Sequence, residues 1–176
     1  MNLLQIIKEE IEKMFESSLG RIHQHLKSDR TFAMLSPNRG NLTPQENKQR
    51  YEQLKKQVRQ FGLGFIELGG GYQETTDDGG TMMVKEDSLL IPNITKEQAI
   101  QIGQMYEQDS VIFKNQEGET NLISTDQRTG VPIGGSMMQF NPEFDFSSDT
   151  HDFVYSKLKK GQHSDRKFAL QGKEED

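Results

Sequence analysis

The stretch from Thr43 to Gly62 carries its own start signal and its own stop signal, and it limits the fold more tightly than any other part of the sequence. Thr43 has a short side-chain oxygen that can accept from a backbone N–H of a first helical turn. Pro44 sits where a missing N–H costs nothing, and Glu46 can return a bond to the start of the helix, completing a capping box. Tyr51, Leu54, Val58 and Phe61 then recur at spacings of three, four and three, which places them on one helix face. Gly62 is the residue type that most easily ends the run. The spacing predicts a helix over 44–61, and its apolar stripe must pack on another element.

The flanking segments supply that element. Thr31–Ser36 reads as a strand stopped by Pro37, and Leu63–Leu68 reads as a second. Gly69, Gly70 and Gly71 are expected to break or bulge that strand, and 75–80 is expected to be a flexible loop. Ser88–Ile91 is a short buried-type strand closed by Pro92. Thr95 and Gln98 form a second capping box, opening a helix to about Glu107 with Ala99, Ile102 and Tyr106 on one face. Ser110–Phe113 and Asn121–Ser124 read as a hairpin, and 126–136 is rich in turn residues. Met137–Phe140, Phe153–Tyr155 and Arg166–Leu170 are further strands.

The order implies an α+β fold: a mostly antiparallel sheet with two helices on one side, built on a split βαβ, ferredoxin-like core. Residues 1–28 are read as an N-terminal amphipathic helical arm, with Leu4, Ile7, Ile11 and Met14 and then Leu19, Ile22 and Leu26 along its apolar face. Residues 30–170 form a single domain, and 171–176 a flexible tail.

Composition removes some chemistries. The 176 residues include no cysteine, which excludes disulfides, cysteine zinc sites and a thiol nucleophile. The net charge of −6 opposes wholesale contact with phosphate backbones, so nucleic-acid binding is not the favoured reading. No apolar run approaches the roughly 18 residues that suggest a bilayer span. The first residues lack a basic segment and a small-residue cleavage site, so they do not read as a signal peptide.

Several groups could carry function, and each has a plainer reading. The three glycines follow a strand as phosphate-cradling loops do, but they spell neither phosphate-loop pattern, and a bend accounts for them. His23, His25, His151 and His163 lack the spacing of a metal pair. Asn38 and Arg39 lie just before a helix start, and Asn47 and Arg50 share a face of that helix. Together they could hold a phosphate or carboxylate, although turn and capping chemistry also explains them. Glu67, Glu74, Glu86, Asp87 and Asp109 could be gathered as a Mg²⁺ site or as acid–base groups, or could be solvated loop carboxylates. Lys48, Arg50, Lys55, Lys56 and Arg59 make helix 44–61 basic, a face that reads first as solvated. Nothing here calls for a metal or a cofactor.

One set of pieces goes beyond local pattern. Phe32-Ala-Met-Leu-Ser-Pro-Asn-Arg-Gly40, Glu46-Asn47, Arg50, Gly71-Tyr72-Gln73-Glu74, Glu86-Asp87-Ser88-Leu89, Gly103-Gln104 and Gln108-Asp109-Ser110-Val111-Ile112 fall in one order. In this order and spacing the chain resembles a group of uncharacterised proteins of bacteriophages and other mobile elements, a domain of unknown function also seen within polyvalent proteins. The likeness covers roughly residues 30–125. It implies a phage-type source, hence the host cytoplasm or the virion, and it assigns no catalytic residue. It directs attention to Asn38, Arg39, Asn47, Arg50, Tyr72, Glu74, Glu86, Ser88, Gln108 and Asp109 as candidate ligand-binding positions.

The expected function is therefore a phage-type accessory protein that binds a host or phage protein. Self-association through residues 1–28 is part of that expectation. The rivals are a nucleotide- or nucleic-acid-directed enzyme, or an inactive relative of one, gripping phosphate with Arg39, Asn47 and Arg50, and a structural virion component.

Overall fold

The computed structural model describes residues 2–7, 28–145, 154–159 and 169–172. Its elements run β1 (Phe32–Leu35), α1 (Pro44–Gln60), β2 (Ile66–Thr75), β3 (Thr81–Pro92), α2 (Lys96–Met105), β4 (Ser110–Lys114) and β5 (Thr120–Ser124). A 3-10 turn (Gln127–Thr129), β6 (Ser136–Asp145), β7 (Val154–Leu158) and β8 (Ala169–Gly172) follow. The strands form one sheet in the order β7-β2-β3-β1-β4-β5-β6-β8, and each described pair is antiparallel. The inner order β2-β3-β1-β4 is that of the expected split βαβ core.

The helix ends obey local chemistry. Thr43 Oγ1 accepts from Glu46 N at 3.1 Å, but the Glu46 carboxylate takes the Thr43 hydroxyl proton instead of the backbone amide, so this box closes on one side only. At α2 the box is complete: Gln98 N donates to Thr95 Oγ1 at 3.1 Å and Thr95 N to Gln98 Oε1 at 3.0 Å. Gly62 ends α1 at φ +77. The corresponding position after α2 is Glu107, at φ +57, a conformation that L side chains adopt at a cost.

Both helices pack on one sheet face. Tyr51, Leu54 and Val58 of α1 and Ala99, Ile102 and Tyr106 of α2 share a buried cluster with Ala33, Leu35, Leu89, Ile91, Val111, Phe113 and Ile123. The alternate residues point the other way. There, Ile66, Leu90, Met34, Ile112, Leu122 and Met138 pair directly across six strands as one apolar rung. Leu90, second in the rung, is fully buried, and Met138 at its far end is 47% exposed. Phe32 and Leu68 are fully buried on this second face too, so burial over the central strands is two-sided.

Several expectations need correction. The three glycines neither break nor bulge β2, which keeps an unbroken register with β3 from Ile66 to Thr75. A glycine strand holds when backbone partners flank it, and here β3 and β7 pair with all three. β3 begins at Thr81 instead of Ser88, and the expected flexible loop is a tight hairpin turn closed by Thr76 N to Gly80 O at 2.9 Å. β8 reaches Gly172, so the first residues of the expected tail are paired with β6.

Residues 3–7 are helical, with Leu3, Leu4, Ile6 and Ile7 exposed; most of the arm lies outside the described residues, as do the four histidines. No helix among the described residues is long and apolar enough to cross a membrane. Lys114 at the end of β4 is fully buried. Its ammonium donates to the carbonyls of Ser28 and, at 2.6 Å, of Arg30, which fastens the chain entering β1.

Candidate functional site

Beyond Leu35 the chain leaves the sheet and must satisfy its backbone without a strand partner. Three successive carbonyls of this loop are taken by side chains. Arg50 Nε donates to Pro37 O at 2.8 Å, Gln108 Nε2 to Asn38 O at 3.1 Å and Asn47 Nδ2 to Arg39 O at 3.1 Å. Arg39 N in turn donates to Asn47 Oδ1 at 2.9 Å.

The same side chains hold the end of α2. Arg50 Nη2 and Gln108 Nε2 both donate to Tyr106 O, the second at 3.0 Å, and Arg39 Nη1 donates to Glu107 O. Arg50 lies 5.4 Å from the Tyr106 ring centroid and 3.6 Å from the Glu107 carboxylate. Guanidinium and amide groups thus act as backbone substitutes, clamping the β1–α1 loop to the left-handed turn at Glu107.

Asp109 joins at the rim. Arg128, in the turn-rich segment that carried no candidate, donates to Asp109 at 2.8 Å and to Asp126 at 2.9 Å. The backbone and side-chain bonds from Arg128 hold the Asp126 carboxyl below its usual range, and Arg39 adds a smaller pull in the same direction. Arg39 and Asp109 therefore belong to the same end of the molecule.

Glu86 and Ser88 lie on β3 beside the last residue before Pro37. The Ser36 hydroxyl donates to Asp87 O at 2.6 Å and accepts from Asn38 N at 3.1 Å. Burial pushes the Glu86 pKa up; the Ser36 hydroxyl pulls the other way and Asp87 adds to the rise. Ser88 contributes its carbonyl, which accepts from Tyr51 Oη at 3.0 Å. Tyr51 is flanked by Lys55 and Lys159, 5.1 and 4.3 Å from its ring centroid; burial, then Glu67 and Asp87, push its pKa well above the usual phenol range.

The backbone at Tyr72 and Glu74 lies further along the β2–β3 ribbon. These residues pair with Val84 and Met82, and Met82 is six residues from Ser88, about 20 Å along an extended strand. The acidic residues are not gathered. Glu67 meets Lys55 at 2.9 Å, Asp87 meets Lys159 at 3.0 Å and Asp109 meets Arg128. Among the described residues no three His, Asp or Glu side chains converge as a metal ion requires.

The fold and this cluster define an antiparallel α+β protein with a ferredoxin-like core and a side-chain clamp where β1 leaves the sheet. Residues 36–111 match the model of a family described as Protein of unknown function (DUF3293). That segment opens at Ser36, one residue before the clamped carbonyls, and takes in all ten candidate positions. No curated protein matches the chain.

Proposed function

We propose that the chain is an accessory protein of bacteriophage or mobile-element type that acts by binding a protein, in the host cytoplasm or in the virion. One observation carries this reading: the side chains that would grip a phosphate already hold the backbone. Asn47 is committed to Arg39 at both ends of its amide, and Arg39 and Arg50 donate to the carbonyls of Glu107, Pro37 and Tyr106. A phosphate at these side chains would compete with bonds that the backbone needs. The motif resemblance read from the sequence is what favours a phage-type source, and the exposed Leu3, Leu4, Ile6 and Ile7 favour an apolar contact with a partner.

The test is affinity capture of the full chain from phage-infected cells, followed by reconstitution with purified candidate partners. The expected result is a stoichiometric complex that survives gel filtration. Capture of nothing, together with turnover of a nucleotide or nucleic acid by the purified chain, would contradict the reading.

A further inference from the structure

β3 and β1 are unequal neighbours. β3 runs for 12 residues, whereas β1 has 4 and pairs only with Leu89–Pro92. On the other side β2 accompanies β3 all the way out to Thr81. From Thr81 to Ser88, β3 therefore has a strand on one side and, among the described residues, none on the other.

The hydrogen bonds show which residues face the open side. In an antiparallel sheet, alternate residues send their N–H and C=O to opposite neighbours. Gly80 O accepts from Thr76 N on the β2 side, and Asn93 N donates to Thr31 O on the β1 side, both at 2.9 Å. Even-numbered residues of β3 thus bond to β2, and odd-numbered ones point to the β1 side. Asp87 keeps to this pattern, because its carbonyl accepts from the Ser36 hydroxyl at 2.6 Å as the chain leaves β1. Beyond it, Lys85, Met83 and Thr81 turn their backbone donors and acceptors outward with no partner among the described residues.

The clamp keeps this side open. The carbonyls of Pro37, Asn38 and Arg39 are held by Arg50, Gln108 and Asn47, so the chain that would have prolonged β1 is committed to α1 and the end of α2. The vacated edge from Thr81 to Asp87 spans about 20 Å, room for a strand of roughly six residues. Lys85, of the same parity as the helix-facing Leu89 and Ile91, is exposed. Its neighbour on β2 is Gly71, which offers it no side chain, and among the described residues no carboxylate pairs with it. On the other face Met82 is 53% exposed and Val84 is partly exposed.

We infer that the open edge of β3, from Thr81 to Asp87, takes up an extended segment of the protein partner as an added strand in line with β1. The inference rests on the protein-binding reading for the source of the segment; the open edge stands without it. The backbone groups of Met83 and Lys85 supply main-chain bonds, and the side chains along the edge select the sequence. An acidic residue belongs beside Lys85, and apolar residues belong beside Met82 and Val84 on the other face. An unpaired edge accepts strands of many kinds, and a lysine on it turns basic ones away.

The experiment selects binders of the full chain from a surface-displayed library of random peptides of about eight residues. Amide hydrogen exchange along β3 is then followed by NMR. In the free chain the Met83 and Lys85 amides are expected to exchange fast, and those of Val84 and Glu86, which bond to β2, slowly. Selected peptides are expected to carry an acidic residue among alternating apolar ones and to slow exchange at Met83 and Lys85. Lys85→Pro removes one outward N–H and leaves the β2 bonds in place, so it should weaken peptide binding about tenfold or more. Lys85→Ala keeps the N–H and should weaken it less, and Met83→Pro repeats the test one step along the edge. Slow exchange at Met83 and Lys85 in the free chain would overturn the open edge. Selection of no peptide, or of peptides that leave both amides unprotected, would overturn the strand site; capture of a partner from infected cells in that case leaves the protein-binding reading intact. Protection that appears on concentrating the chain alone would put a second copy at the edge and overturn the partner as its occupant. Peptide protection in a chain that captures no protein would keep the strand site and overturn the partner as its source.

Discussion

Asn47 and Arg39 hold each other as two strands would: the Arg39 amide donates to Asn47 Oδ1 at 2.9 Å and the Arg39 carbonyl accepts from Asn47 Nδ2 at 3.1 Å. The side chain supplies both halves of a peptide unit to a loop that has lost its sheet partner. Asn47→Ala removes both bonds and is expected to cost about 1–3 kcal/mol. Asn47→Asp keeps the acceptor near a helix start and is expected to cost less. Urea denaturation of the two variants measures the difference.

Arg50 bridges Pro37 O and Tyr106 O with its side chain 19% exposed. A lysine carries its donors on a single nitrogen and cannot span both carbonyls as the guanidinium does. Arg50→Lys is expected to lose about 1–3 kcal/mol of stability. Hydrogen exchange should quicken at the Glu107 and Gln108 amides, which close the end of α2. Unchanged exchange there would show that the turn stands without the clamp.

Gly103 lies on the buried side of α2, where a Cβ would come 2.8 Å from Thr125 Cγ2 and 3.1 Å from Val111 Cγ1. Thr125 cannot easily turn away, because its hydroxyl is bonded to Gln108 O. Gly103→Ala gains roughly 1 kcal/mol of helix propensity. Overpacking of about 1–3 kcal/mol outweighs that gain. The expected outcome is a lower melting temperature.

Glu86 gives stability a pH dependence whose sign is fixed. Burial raises its folded-state pKa above the unfolded value. Its contribution is therefore fully present below the unfolded carboxylate pKa and is lost as pH rises through the folded one. Glu86→Gln cannot ionise, so it should become more stable relative to wild type as pH climbs through that window. Melting curves of both proteins across the window measure this, and parallel curves would contradict it.

How much of this could be read in the sequence follows from the range of each interaction. The caps at Thr43 and Thr95 and the stop at Gly62 were legible because their partners lie within a turn or so. β3 was cut short at Ser88 because Lys85, Glu86 and Asp87 look like loop residues, and only their pairing with Gly69–Gly71 makes them strand. Arg39, Asn47 and Arg50 were legible as a group, but not their purpose, since Glu107 and Tyr106 lie 68 and 56 residues away from the arginines. Arg128 and the buried Lys114 were missed: each depends on a contact that no local pattern announces.

The central claim is that Arg39, Asn47 and Arg50 serve the backbone and not a phosphate. Thermal melting of wild type and Arg50→Lys, each with and without inorganic phosphate and ADP, tests it most directly. The account predicts a lower melting temperature for Arg50→Lys and no ligand-dependent rise in either protein. A rise in wild type that disappears in Arg50→Lys would contradict it.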